Sequence, residues 1–89
     1  EMPQFLKCVH IIKCNQNVSD YEVKRIGETC PNLRKLDLSN TDVRGAGIKY
    51  IGIKYCPKLH TLRLYNTKIK SGDVDYILAY FKNIQVLKN

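Results

Sequence analysis

The side chains best able to do chemistry in this 89-residue chain are four cysteines, Cys8, Cys14, Cys30 and Cys56, and two histidines, His10 and His60. Their spacing suits neither a C-x-x-C redox pair nor a zinc site. A nucleophile–base pair can be drawn from His10 with Cys8 or Cys14. Alternation along a strand accounts for the same residues without catalysis. Gly45-Ala46-Gly47 lacks the lysine and the preceding buried strand of a phosphate cradle. No paired carboxylates converge. The sequence therefore predicts no catalytic residue, no metal site and no cofactor, and the chain does not read as an enzyme.

Two of the cysteines belong to a larger pattern. The stretch Cys30-Pro31-Asn32-Leu33-Arg34-Lys35-Leu36-Asp37-Leu38-Ser39-Asn40-Thr41-Asp42-Val43 returns as Cys56-Pro57-Lys58-Leu59-His60-Thr61-Leu62-Arg63-Leu64-Tyr65-Asn66-Thr67-Lys68-Ile69. Cys, Pro, three Leu, Asn and Thr recur in step, twenty-six residues apart. A period of this size means stacked supersecondary units. Phe81 takes the place of Cys30 and Cys56 in the next unit. A position that accepts Cys or Phe is an apolar core position, so both cysteines are expected reduced and buried.

The pattern L-x-x-L-x-L-x-x-[NTC]-x-[IV] resembles the leucine-rich repeat, and the preceding Cys-Pro-x-Leu resembles its cysteine-containing subclass. The resemblance implies an α/β leucine-rich-repeat solenoid of right-handed strand–helix repeats, with a parallel sheet on the concave side and helices on the convex side. It implies one domain over 1–89, with repeats at about 6–32, 33–58 and 59–83 and a partial one at 84–89. It also implies a protein-interaction module similar to the substrate-recognition region of F-box/leucine-rich-repeat proteins, the receptors of a Skp–cullin ubiquitin ligase. No F-box segment is present, so that reading expects one upstream. The alternative is a small assembly factor of a respiratory or ATP synthase complex, more distantly similar to mitochondrial coupling factor B. A nucleic-acid-binding repeat protein is a second alternative.

The helices are expected over Tyr21–Thr29, Ile48–Tyr55 and Val74–Phe81. Ser19 and Glu22 form a capping box, and Ser71 is the expected N-cap of the last helix. Gly45 and Gly47 are expected to relax the turn into the middle helix. Their buried stripes are Val23, Ile26 and Cys30; Ile48, Ile51 and Tyr55 or Cys56; and Val74, Ile77 and Phe81. Strands are expected around Ile11, Asp37, Arg63 and Leu87, after a lead-in over Glu1–Leu6. In the first, Val9 and Ile11 alternate with His10, and a one-residue shift would exchange its buried and exposed sets. Asn40 and Asn66, alone or with Thr41 and Thr67, are expected to satisfy the backbone where the chain leaves the sheet.

Period-two alternation leaves one regular surface. It presents Lys35, Asp37 and Ser39 on one strand and Thr61, Arg63 and Tyr65 on the next, flanked by Cys8, His10 and Ile12 and by Val86 and Lys88. The partner-binding residues expected on it are Lys35, Asp37, Ser39, Thr61, Arg63, Tyr65 and His10. Tyrosine rungs at Tyr50/Tyr76 and Tyr55/Tyr80, near Lys49, Lys54 and Lys82, read as packing between helices rather than a single-stranded nucleic-acid surface.

Composition sets the remaining bounds. Fifteen basic and eight acidic residues give a net charge of +7. The basic residues form no run of three, so they point to a solvated surface and an acidic protein partner rather than nucleic acid. No apolar run approaches the ~20 residues of a membrane span. Reduced cysteines suit an intracellular setting, cytoplasmic or nuclear, or alternatively the mitochondrial matrix side. Neither end carries a polar cap, so further repeats or a partner chain are expected to cover the ends.

Overall fold

Leu36 and Leu62 lie directly opposite each other on neighbouring parallel strands, each only 1 % exposed. The computed structural model describes residues 10–14, 16–50, 55–81 and 83–89, the Tyr50 side chain excepted. In chain order the elements are β1 (Ile11–Lys13), α1 (Asp20–Thr29), β2 (Lys35–Asp37), α2 (Gly45–Tyr50), β3 (Thr61–Arg63), α3 (Ser71–Tyr80) and β4 (Gln85–Leu87). The fold is a small α/β arrangement, a four-stranded parallel sheet in the order β1-β2-β3-β4 with three helices. Carbonyls bridge the starts of successive strands. His10 O accepts from Arg34 N and Lys35 N, and Arg34 O accepts from His60 N and Thr61 N.

The core lies between one sheet face and the helices. Leu36, Leu38, Leu62 and Leu64 meet Val23, Ile48 and Ile77 from the helices. Val43 and Ile69, on the connections out of β2 and β3, close the same core. Cys30 and Cys56 are buried, and Cys56 Sγ donates to Cys30 O at 3.5 Å. Cys30 and Phe81 hold equivalent positions at helix ends, where the N–H of each reaches back to Ile26 O and Ile77 O. Phe81 is only half-buried, packed against the edge of the core.

The turns out of β2 and β3 divide two tasks between Asn and Thr. Thr41 Oγ1 donates to Leu38 O at 2.6 Å, and Val43 N donates to Thr41 Oγ1. Thr67 repeats this with Leu64 O and Ile69 N. Thus the threonines satisfy the turn backbone. Asn40 and Asn66 adopt φ of 61° and 54°, a left-handed conformation that Asn tolerates better than most residues. Both are exposed, and Asn66 Nδ2 donates to Asn40 Oδ1 at 2.9 Å.

Each helix begins under a carboxylate, as the dipole favours. Glu22 Oε1 accepts from Ser19 N at 2.7 Å and from Ser19 Oγ at 2.6 Å. The serine hydroxyl thus donates to Glu22 in the observed cap. In α3, Lys70 rather than Ser71 is the N-cap, and its N–H donates to Asp73 Oδ2. The third position of α2 is Gly47, which offers no carboxylate. Arg44 N instead donates to Asp20 Oδ1 at 2.7 Å, borrowed from the preceding helix. A Cβ on Gly47 would stand 2.6 Å from that same oxygen. Neither Gly45 nor Gly47 has positive φ. Both lie inside α2, and they provide room rather than a loose turn; a Cβ on Gly45 would collide with Asp73. The middle helix therefore starts three residues earlier than its apolar spacing suggests. Ile51, Lys54 and Lys82, the Tyr50 side chain and the lead-in with Cys8 and Val9 lie outside the described residues.

The outer strands correct two expectations. Ile12 pairs with Leu36 and turns to the core, while Ile11 is 66 % exposed. At the other edge Val86, not Leu87, pairs with Leu62. Both strands run one residue out of the expected parity, because the offset is twenty-four residues from Ile12 to Leu36 and from Leu62 to Val86.

Leu36→Ala and Leu62→Ala should each cost about 2–5 kcal/mol in urea denaturation, the range for a buried Leu truncated in a packed core. Val86→Ala should cost clearly less, since Val86 is only half-buried at the sheet edge. Equal losses for all three would show that the core does not taper towards β4.

Candidate protein-binding surface

The sheet face opposite the helices is built from the odd-numbered strand positions. One rung holds Ile11, Lys35, Thr61 and Gln85, and the next holds Lys13, Asp37, Arg63 and Leu87. Of the residues expected on this surface, Lys35, Asp37, Ser39, Thr61, Arg63 and Tyr65 come together. His10 does not share their rungs. It lies exposed just ahead of β1, in step with Arg34, and its carbonyl is committed to the sheet. Ile12 and Val86 are withdrawn to the core face, as their pairing requires. Lys13, Ile11, Gln85 and Leu87 replace them on the open face. The signal for this was the parity of the outer strands, which two adjacent isoleucines in β1 conceal.

The residues differ in what they are free to do. Asp37 Oδ1 accepts from Ser39 N at 3.0 Å, and Ser39 Oγ accepts from Tyr65 N at 3.1 Å. Asp37 and Ser39 thus hold the backbone in place. Burial tends to raise the Asp37 carboxyl. The Ser39 N–H and hydroxyl, with Arg63 and Lys13 beyond, outweigh it and hold the group below the ordinary carboxylate range. The Arg63 guanidinium stands over the Tyr65 ring, 5.8 Å from its centroid. Thr61 Oγ1 lies 2.9 Å from His60 Nδ1. Lys13, Lys35 and Arg63 make no ion pair within 4 Å among the described residues.

Two open depressions mark this face. One, of about 410 Å³, lies over Ile11, Lys13, Lys35, Thr61, Arg63 and Leu87. The other, of about 730 Å³, reaches from Lys13 and Asp37 past Ser39, Arg63 and Tyr65 to Gln16, Asn17 and Asn40 on the rim. Neither is an enclosed small-molecule cavity. Both are shallow surfaces suited to a chain laid across the strands.

The helix side is different. Tyr76 and Tyr80 stack at 4.7 Å between centroids, and Lys49 Nζ stands 5.3 Å from the Tyr76 centroid. Tyr55 is half-buried against the core, whereas Tyr80 is 59 % exposed. The expected Tyr55/Tyr80 rung is therefore uneven. Among the described residues no helix is long and apolar enough to cross a membrane.

The thiols are tuned away from nucleophilic chemistry. Burial, then the nearby Asp37 charge, pushes Cys14 up to about 11. Burial, then Cys30, pushes Cys56 up to about 12, and burial raises Cys30 as well. Cys14, Cys30 and Cys56 are all unpaired thiols. No family model, curated protein or solved structure matches the chain.

Two measurements follow from these environments. In a Cys8→Ser background, a thiol-reactive aromatic disulfide should label Cys30 and Cys56 at least ~10-fold more slowly in the native state than in denaturant; rapid labelling of both would remove them from the core. Asp37 supplies the second. Its folded pKa is lower than its unfolded one, so its contribution is complete above the unfolded value and is lost as pH falls through the folded one. Between roughly pH 5 and pH 3, chemical denaturation should show a shallower loss of stability for Asp37→Asn than for the parent chain. Parallel pH profiles would show that Asp37 is not held in its charged form by the fold.

Proposed function

We propose that the chain is a protein-interaction module of leucine-rich-repeat solenoid type, and that its open sheet face is the concave binding surface. The observation that carries this reading is the set of cations on that face that make no ion pair among the described residues. Lys13, Lys35 and Arg63 stand on a hydrogen-bonded sheet with Asp37 as the acid among them. The sheet holds these side chains in a preorganised array, so less ordering cost falls on binding. Tyr65 adds an aromatic surface partly covered by Arg63, and Tyr and Arg are the residue types enriched at binding hot spots. The cations favour an acidic partner, in keeping with the net charge of +7. Asp37 sets the register of that partner by repelling its carboxylates from one position.

The repeat of the Cys30–Val43 stretch at 56–69 supports a role similar to the substrate-recognition region of F-box/leucine-rich-repeat receptors. In that role the module selects a protein for ubiquitin transfer and carries out no chemistry itself.

A photo-crosslinking amino acid placed at position 35 tests the surface against one placed at position 78 on the helix side. Crosslinks from position 35 that disappear in a Tyr65→Ala/Arg63→Ala double variant, and persist in Tyr76→Ala/Tyr80→Ala, are the expected result. The opposite pattern would move binding to the helices.

A further inference from the structure

Lys13 and Arg63 share a rung with Asp37 between them, one residue on each of three adjacent strands. Neighbouring strands are about 4.8 Å apart, so the two cations are anchored about 9.6 Å from each other. A carboxylate arriving midway meets the Asp37 charge. A carboxylate arriving at either end meets Lys13 or Arg63. Lys35 lies one rung earlier on the central strand and adds positive charge beneath both. Exposed Ile11 and half-buried Leu87 border the depression on either side.

The spacing selects a backbone conformation for what binds. In a β-strand, same-side residues are two apart and about 6.8 Å from each other, which places the second charge near Asp37. A polyproline II helix has three residues per turn and rises 3.1 Å per residue, so same-side residues are about 9.3 Å apart. That repeat matches the distance from Lys13 to Arg63. We propose that this face takes an acidic segment of a partner protein in polyproline II conformation, its acidic residues three apart on Lys13 and Arg63 and its intervening residues neutral over Asp37. The proposal rests on the sheet face being the binding surface. A nucleic-acid strand fits less well, because its continuous phosphates place negative charge over Asp37.

Fluorescence anisotropy at low salt on the 89-residue chain tests it, with two labelled peptides of about twelve residues and equal charge. Each carries four Glu in a proline-rich background, three residues apart in one and two apart within a central block in the other, and a labelled oligothymidylate serves as the third probe. The three-apart peptide is expected to bind several-fold more tightly than either other probe. Lys13→Ala and Arg63→Ala should each weaken it about two- to fivefold, the range of a surface ion pair. Asp37→Asn keeps an oxygen for the Ser39 N–H and should abolish the preference between the two spacings. Equal binding of both peptides by the parent chain, tighter binding of the oligothymidylate, or a preference unchanged in Asp37→Asn would each overturn the proposal. If the spacing preference is absent while position-35 crosslinks still depend on Tyr65 and Arg63, the segment is wrong and the surface stands. If those crosslinks are absent too, both fail.

Discussion

Everything in this fold depends on the parallel register that sets Ile12, Leu36, Leu62 and Val86 in one row. A strand alternates its side chains between two faces, so fixing which residues turn to the core also fixes which residues are displayed. The leucine row removes apolar surface from water, which supplies the driving force. The same row places Lys13, Asp37, Arg63 and Leu87 beside one another on the opposite face. Core and candidate site are thus two readings of one constraint. A slip of one residue in β2 would bury Asp37 and expose Leu36.

The helices are tied to this sheet by an arrangement that sequence periodicity does not contain. Each needs an acceptor at its N-terminus, and each finds a carboxylate. Glu22 and Asp73 are supplied locally, three residues after the N-caps Ser19 and Lys70. The middle helix has Gly47 at that position and uses Asp20 from the helix before it. Gly47 is the condition for this borrowing, since a side chain there would take the space of the Asp20 carboxylate. Successive units are thereby joined by a polar contact at the helix ends as well as by leucines in the sheet.

This explains what could be read from the chain and what could not. The parallel strands, the three helices and the burial of Cys30 and Cys56 follow from the internal repeat, because side chains in the same structural setting recur at the same spacing. The central rungs of the open face were legible for the same reason. The outer rungs were not. Ile11 and Ile12 are equally suited to burial, and only the hydrogen bonds to β2 decide between them. Ile84 and Val86 are separated by one residue where Leu59 and Leu62 are separated by two, so a constant offset points to the wrong side of β4. The parity of β1 alone decides that Lys13 rather than His10 shares the open-face rungs.

The two signs of charge are used differently by the fold. Among the eight acidic residues, Asp20, Glu22, Asp37 and Asp73 accept backbone N–H groups, and Asp42 pairs with Lys68 at 2.8 Å. Most of the negative charge is therefore committed to helix starts, a turn and one ion pair. Lys68 shares that ion pair, whereas Lys13, Lys35 and Arg63 on the open face make no ion pair among the described residues. Removing Lys13, Lys35 or Arg63 should disturb the fold little, since exposed charges contribute little to stability. Removing Asp37 disturbs both fold and surface, because its carboxylate holds Ser39 N while standing between two cations. Exposed cations that are separable from folding, arranged around a carboxylate that is not, give the face a charge pattern that can change without loss of the scaffold.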